Sequence, residues 1–177
     1  MENAWFTISV YSENHVGLLN RISGIFLRRH INIESLNVSP SEIEGVSKFT
    51  VVVHTTEDWT RKIVRQIEKQ IEVIKAFYHT DDETIFQECA LFKIKSDLLF
   101  DERRIQNIIK DNHSQIVTVA RDFFVISKTG RRSEVDKMYE ELEPFGIMQF
   151  VRSGRISVTK DVMEITALLN GFHEEAS

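Results

Sequence analysis

From Trp5 to Tyr11 apolar and polar residues alternate, with Phe6, Ile8 and Val10 on one face, and this predicts a strand. The polar stretch Ser12–Gly17 predicts a turn. The period then changes. Leu18, Leu19, Ile22, Ile25 and Phe26 recur at helical spacing, and Arg28 and Arg29 suit the negative end of that helix. Ile31, Ile33, Leu36 and Val38 predict a strand with an irregularity near Ser35, and Pro40–Gly45 an acidic hairpin loop. Val46–His54 is β-branched and aromatic and gives the clearest strand of the chain. Thr55 and Thr56 offer an N-cap to a helix with Ile63, Val64 and Ile67 inward, and Glu72–His79 alternates again. The order to this point is β-α-β-β-α-β, a ferredoxin-like pattern.

The same order recurs after the acidic break Thr80–Thr84. Phe86, Glu88, Ala90, Phe92 and Ile94 mark a strand, and Asp101 is the expected cap of a helix burying Ile105, Ile108 and Ile109. Gln115–Ala120 and Phe123–Lys128 read as paired strands. A helix from Ser133 turns Val135, Met138 and Leu142 inward and ends at Pro144 and Gly146, before a strand over Gly146–Val151. The expected architecture is therefore α+β: two ferredoxin-like βαββαβ domains, residues 1–79 and 86–177, joined by a linker at 80–85. Ser153–Ser177 adds a short strand (Ile156, Val158) and a helix carrying Met163, Ile165, Leu168, Leu169 and Phe172. That apolar face is expected to dock on the second sheet or on a partner.

Composition narrows the function classes. The 177 residues are 42% apolar and 28% charged, as in an ordinary soluble protein. With 22 basic and 27 acidic residues, a net charge of −5 and no basic block, nucleic-acid binding is disfavoured. The single Cys89 excludes an internal disulfide and suits a reducing compartment; it reads as a packed strand residue. Met1–Asn3 lead straight into a strand without a basic segment, and no apolar run approaches the roughly 20 residues that span a bilayer. A cytoplasmic location is the default expectation.

Catalytic signatures are missing. There is no phosphate-cradling G-x-x-x-x-G-K-[ST], no G-x-G-x-x-G and no G-x-S-x-G. The six histidines show no H-x-x-x-H spacing, and no metal site is expected. The Asn14–Gly17 turn is different because it need only bind. Backbone amides from Gly17, Leu18 and Leu19 at a helix N-terminus could take a small carboxylate, and Asn14 can donate or accept toward either charged group of an amino acid. His15 and Val16 complete the turn, with no proton-transfer role for His15. On residues alone, Gly17 as a turn former and Asn14 as a turn-favouring residue is the competing interpretation.

The stretch from Asn14 to Leu36 resembles a family signature, N-x-x-G-x-L-x-R-x-x-G-L-F-x-x-R-G-x-N-I-E-S-L. It matches at Asn14, Gly17, Leu19, Arg21, Gly24, Phe26, Arg29, Asn32, Ile33, Glu34, Ser35 and Leu36. It departs at Asn20, where Ser is common, and at His30, where Gly is usual. The family is that of the small, regulatory subunits of acetohydroxyacid synthase (acetolactate synthase), which carry an ACT domain. Phe150–Thr159, F-V-R-S-G-R-I-S-V-T, is similar to the family's C-terminal R-S/T-G stretch.

The resemblance implies an N-terminal ACT domain that dimerises, and a site for valine or another branched-chain amino acid. Asn32 and Ile33 would reach that site across the dimer. It also implies a large catalytic subunit as partner, which the chain would activate and make sensitive to valine. Thiamine diphosphate, magnesium and FAD would belong to that partner, with no cofactor and no catalytic site on this chain. The rival expectation is a stand-alone ACT-type amino-acid sensor regulating another enzyme or transcription.

Overall fold

The computed structural model describes residues 2–101, 103–167 and 169. They form two compact units: one contains the residues to Ile85 together with the described residues from Arg155 on, the other Phe86–Gly154.

In the first unit, β1 (Ala4–Glu13), α1 (Leu18–Leu27), β2 (Ser35–Pro40), β3 (Val46–Thr55), α2 (Glu57–Ile67) and β4 (Val73–Thr80) follow the expected order. The sheet is antiparallel with strand order β2-β3-β1-β4, and Ile8 of β1 lies opposite Val51 on one side and Tyr78 on the other. Two periodicities meet in the core. Phe6, Ile8 and Val10, two apart on β1, pack against Leu18, Ile22, Ile25 and Phe26 of α1 and against Ile63, Val64 and Ile67 of α2. Thr56 caps α2 by accepting from the Trp59 amide at 3.5 Å, with Glu57 and Asp58 in the positive first turn.

The second unit holds β5 (Thr84–Lys95), which begins in the first unit, then α3 (Asp97–Asp101), α4 (Arg103–Asp111), β6 (Gln115–Val119), β7 (Phe123–Gly130), α5 (Arg132–Leu142) and β8 (Ile147–Arg152). Its strand order is β6-β7-β5-β8, the topology of the first sheet repeated. Ala90, Phe92 and Ile94 pack with Phe124, Ile126, Ile105, Val135, Met138 and Leu142. The α+β duplication is thus real in connectivity as well as in element order.

Three expectations change. Asp101 does not start a helix: backbone helix already runs over Asp97–Asp101, with the Leu98 amide donating to Asp97 Oδ1 at 3.0 Å, because Leu99 is drawn into the core. The 80–85 stretch expected as a linker is ordered structure. Asp81–Glu83 form a 3-10 turn held by Glu83 Oε2, which accepts from the Thr80 amide at 2.7 Å, and β5 begins at Thr84.

The tail belongs elsewhere than expected. β9 (Ile156–Thr159) and the helical residues Ile165 and Leu169 join the first unit, where Ile165 and the fully buried Leu169 pack with Tyr11 and Val46. The physical reason is a second apolar cluster on the outer face of the first sheet that the two helices do not reach. Leu168 and Phe172 lie outside the described residues.

Candidate functional site

Gly17 sets the geometry of the turn. It is the N-cap of α1 with φ 88°, a left-handed conformation that suits glycine. A Cβ placed there would meet nothing within 4 Å, so the space above the turn is open. No side chain caps the helix and no acidic residue stands in its first turn. The Leu18 amide reaches the His15 carbonyl only at 3.4 Å. The first amides of α1 therefore face outward with the partial positive charge of the helix end behind them.

The rest of the turn is held from both sides. The Asn14 amide donates to the Gly45 carbonyl at 2.9 Å, which ties it to the β2–β3 hairpin loop, and the Glu13 amide donates to Glu72 O at 2.9 Å. Val16 is 95% exposed and Leu19 43%, whereas Leu18 is buried in the core and offers only its backbone. His15 folds over the turn, its Nδ1 lying 3.0 Å from the Val16 carbonyl.

Beside the turn sits a pair that sequence reasoning left without a role. Arg21 Nη2 donates to Glu72 Oε1 at 2.5 Å, and His15 Nδ1 lies 3.9 Å from the same oxygen. The Glu72 carboxyl is held below its ordinary value, first by its own backbone amide and then by the Arg21 hydrogen bond. Arg21 is one of the matched signature positions, and that was the available signal; its partner is 51 residues away in sequence.

Asn32 and Ile33 are placed differently. They precede β2 rather than open it, in the connection that follows α1. Asn32 Nδ2 donates to Glu34 Oε1 at 2.8 Å, and the half-buried Ile33 rests on the edge of the core. The ten residues of α1 separate them from Gly17, roughly 15 Å at 1.5 Å per residue. One chain therefore does not bring the two groups together. His30, the departure from the signature, has φ 54°: it adopts the left-handed exit that a glycine would take without cost.

Among the described residues no group of three or more His, Cys, Asp or Glu side chains could hold a metal ion. None of the described helices is long and apolar enough to cross a membrane.

Residues 8–75 match the family model described as the AHAS small subunit-like ACT domain, and residues 87–161 that of the small subunit of acetolactate synthase. The acetolactate synthase small subunit of Bacillus subtilis (strain 168) is 35% identical over 152 residues, spanning 85% of this chain and 88% of that protein. The chain belongs to the acetolactate synthase small subunit family. A family protein of Archaeoglobus fulgidus, named a probable acetolactate synthase small subunit, is 31% identical over 87% of this chain and 96% of its own length. Among solved structures, the acetolactate synthase small subunit of Thermotoga maritima superposes with a TM-score of 0.80 at 25% identity, covering 90% of this chain and 99% of its own. In this family assignment the Asn14–Leu19 turn and Asn32–Ile33 both fall inside the matched ACT region, 8–75.

Proposed function

We propose that the chain is the non-catalytic, regulatory partner of a thiamine-diphosphate-dependent acetolactate synthase catalytic subunit, raising its turnover and conferring feedback inhibition by valine. The chemistry, with thiamine diphosphate, magnesium and FAD, resides on the catalytic chain. The observation that carries the effector site is Gly17: a left-handed, uncapped helix start with open space above it, suited to a ligand carboxylate.

The separation of Gly17 from Asn32 and Ile33 across α1 supports a site completed by two copies. The turn of one copy would hold the carboxylate and ammonium, while Asn32 and Ile33 of a second would close over the branched side chain. Asn14, His15, Val16, Leu18 and Leu19 frame the ligand on the first copy, Leu18 through its amide alone.

Reconstitution tests the reading. The catalytic subunit is assayed alone, with the chain, and with the chain plus valine. The expected result is no acetolactate formation by the chain itself, a raised rate in the mixture, and loss of that rate on adding valine. Equal rates with and without saturating chain would rule the proposal out.

A further inference from the structure

The outer face of the first sheet is normally the one that meets water in a sheet backed by helices on one side. Here Thr7, Ser9 and Tyr11, alternating with the core residues of β1, are themselves buried. The described residues from Arg155 to Leu169 lie over them within the same unit. The segment is fastened at several points. Arg155 donates to Asp81 Oδ1 at 2.6 Å and to Thr7 Oγ1 at 3.0 Å, and its amide donates to Ser35 Oγ at 3.0 Å. Further along, the Lys160 amide donates to Glu83 O at 2.9 Å and its ammonium to Asp82 O at 2.6 Å.

Between these fastenings the segment does not fill the space beneath it. A cavity of about 140 Å³ remains, bounded by β1, β3 and β4 below and by residues of the 157–165 stretch above. Its two sides differ in chemistry. Lys48 lines one side, with Ser9 and Tyr11 of the neighbouring strand; Phe77, Met163 and Ile165 form an apolar wall. The Lys48 ammonium donates to the Ser157 carbonyl at 3.0 Å and stands 5.7 Å from the Tyr11 ring, both neutral groups. Burial lowers the Lys48 pKa, with the Glu42 field opposing. The ammonium's hydrogen bond goes to a carbonyl rather than to a carboxylate, and Glu42 acts on it only through its field. A half-buried cation with neutral partners is poorly compensated, and a carboxylate brought to it would form a charge-assisted hydrogen bond.

We propose that this cavity is a second small-molecule site, distinct from the Gly17 turn, that takes a short-chain aliphatic monocarboxylate. The carboxylate sits at Lys48, beside Ser9 and Tyr11, and the alkyl body lies on Phe77, Met163 and Ile165. The volume sets the size: an apolar cavity of about 150 Å³ accommodates benzene, so acids of roughly six to eight heavy atoms fit. Asp161 sets the charge. It stands 3.6 Å from His79 at the edge of the same cavity, where a second ligand carboxylate would meet a like charge.

The test uses the full chain and isobutyrate as probe, followed by ligand-observed NMR. The wild-type chain should bind isobutyrate saturably and succinate more weakly. Lys48→Met should weaken isobutyrate by about tenfold or more, the loss of one hydrogen bond to a charged group. Met163→Trp should block it by filling the cavity with Lys48 intact, and decides the matter if Lys48→Met proves unfolded by circular dichroism. Gly17→Asp should bind isobutyrate as the wild type does, whatever its response to valine. Absence of saturable binding, undiminished binding by Met163→Trp or by folded Lys48→Met, equal affinity for succinate, or loss of binding in Gly17→Asp each overturns the proposal.

Discussion

Arg21 Nη2 lies 2.5 Å from Glu72 Oε1, an ion pair that ties the first turns of α1 to the residue entering β4, beside the Asn14–Leu19 turn. Glu72 also receives the Glu13 amide through its backbone, so one residue steadies both flanks of the turn.

The pair gives the fold an acid dependence. The Glu72 pKa is lower in the folded chain than its ordinary 4.5. Its contribution to stability is therefore complete above pH 4.5 and disappears as the pH falls through the folded value. Glu72→Gln should melt below the wild type at pH 7, and the two curves should converge in acid. Thermal melts of both proteins between neutral pH and the acid limit of solubility check this; a constant gap would show that the carboxylate charge is not responsible.

Gly17→Asp should abolish valine inhibition while leaving activation of the catalytic subunit largely intact. At about 4 Å and an effective dielectric of about 20, like charges repel by about 4 kcal/mol. A third of that already weakens binding about tenfold. The left-handed backbone at Gly17 adds strain to any side chain there. Asn14→Ala should weaken valine less, because it removes hydrogen bonds without adding repulsion. Valine titrations of the reconstituted enzymes distinguish the three proteins, and wild-type inhibition in Gly17→Asp would move the effector site elsewhere.

If two copies complete each site, defects at the two ends of α1 should complement one another. Gly17→Asp and Asn32→Ala chains, each impaired in valine response alone, should regain part of it when co-expressed. In the mixed dimer one site combines the intact turn of one chain with the intact Asn32 of the other. Valine titration of co-expressed and separately expressed proteins measures this. A co-expressed sample no more sensitive than the separate ones would place the turn and Asn32 in different roles.

His30 occupies a backbone conformation disfavoured for most side chains. His30→Gly should be at least as stable as the wild type, since relief of about 1 kcal/mol of strain offsets the greater unfolded-chain entropy of glycine. His30→Val, with branching at Cβ, should lose about 1–2 kcal/mol. Denaturant midpoints rank the three proteins. A Val variant as stable as the wild type would mean that the helix exit relaxes freely.

Arg155 is the main fastening of the C-terminal segment, through Asp81, Thr7 and Ser35. Its side chain is only 13% exposed. Arg155→Ala should cost about 2 kcal/mol, the range for hydrogen bonds to a charged group. It should also raise the tryptic sensitivity of the chain at Lys160. Unfolding curves and timed proteolysis read the two effects.

Much of the fold is legible in the residues because it follows from local periodicity. The alternation of Phe6, Ile8 and Val10 and the helical spacing of Leu18, Ile22, Ile25 and Phe26 each specify an element and the face that it buries. The recurrence of the same element order after Thr84 specifies the second unit in the same way. Gly17 and its neighbours were recognisable as a glycine turn into a helix start, since the glycine, the polar turn and the first apolar residues of the helix are neighbours in sequence.

What lay beyond the sequence depends on contacts between distant segments. Nothing local to Asp101 reveals that Leu99, two residues earlier, is drawn into the core and carries helical backbone with it. Nothing in Met163, Ile165 or Leu169 says which sheet they cover. The sequence by itself determined two βαββαβ units, their core faces and the Gly17 turn, because propensity and periodicity act over a few residues. Only the tertiary structure decided that Glu72 partners Arg21, that α1 holds Gly17 and Asn32 apart, and that Arg155–Leu169 returns to the first sheet. Those pairings depend on which buried surfaces and charges find one another across the folded chain, and sequence spacing carries no record of that choice.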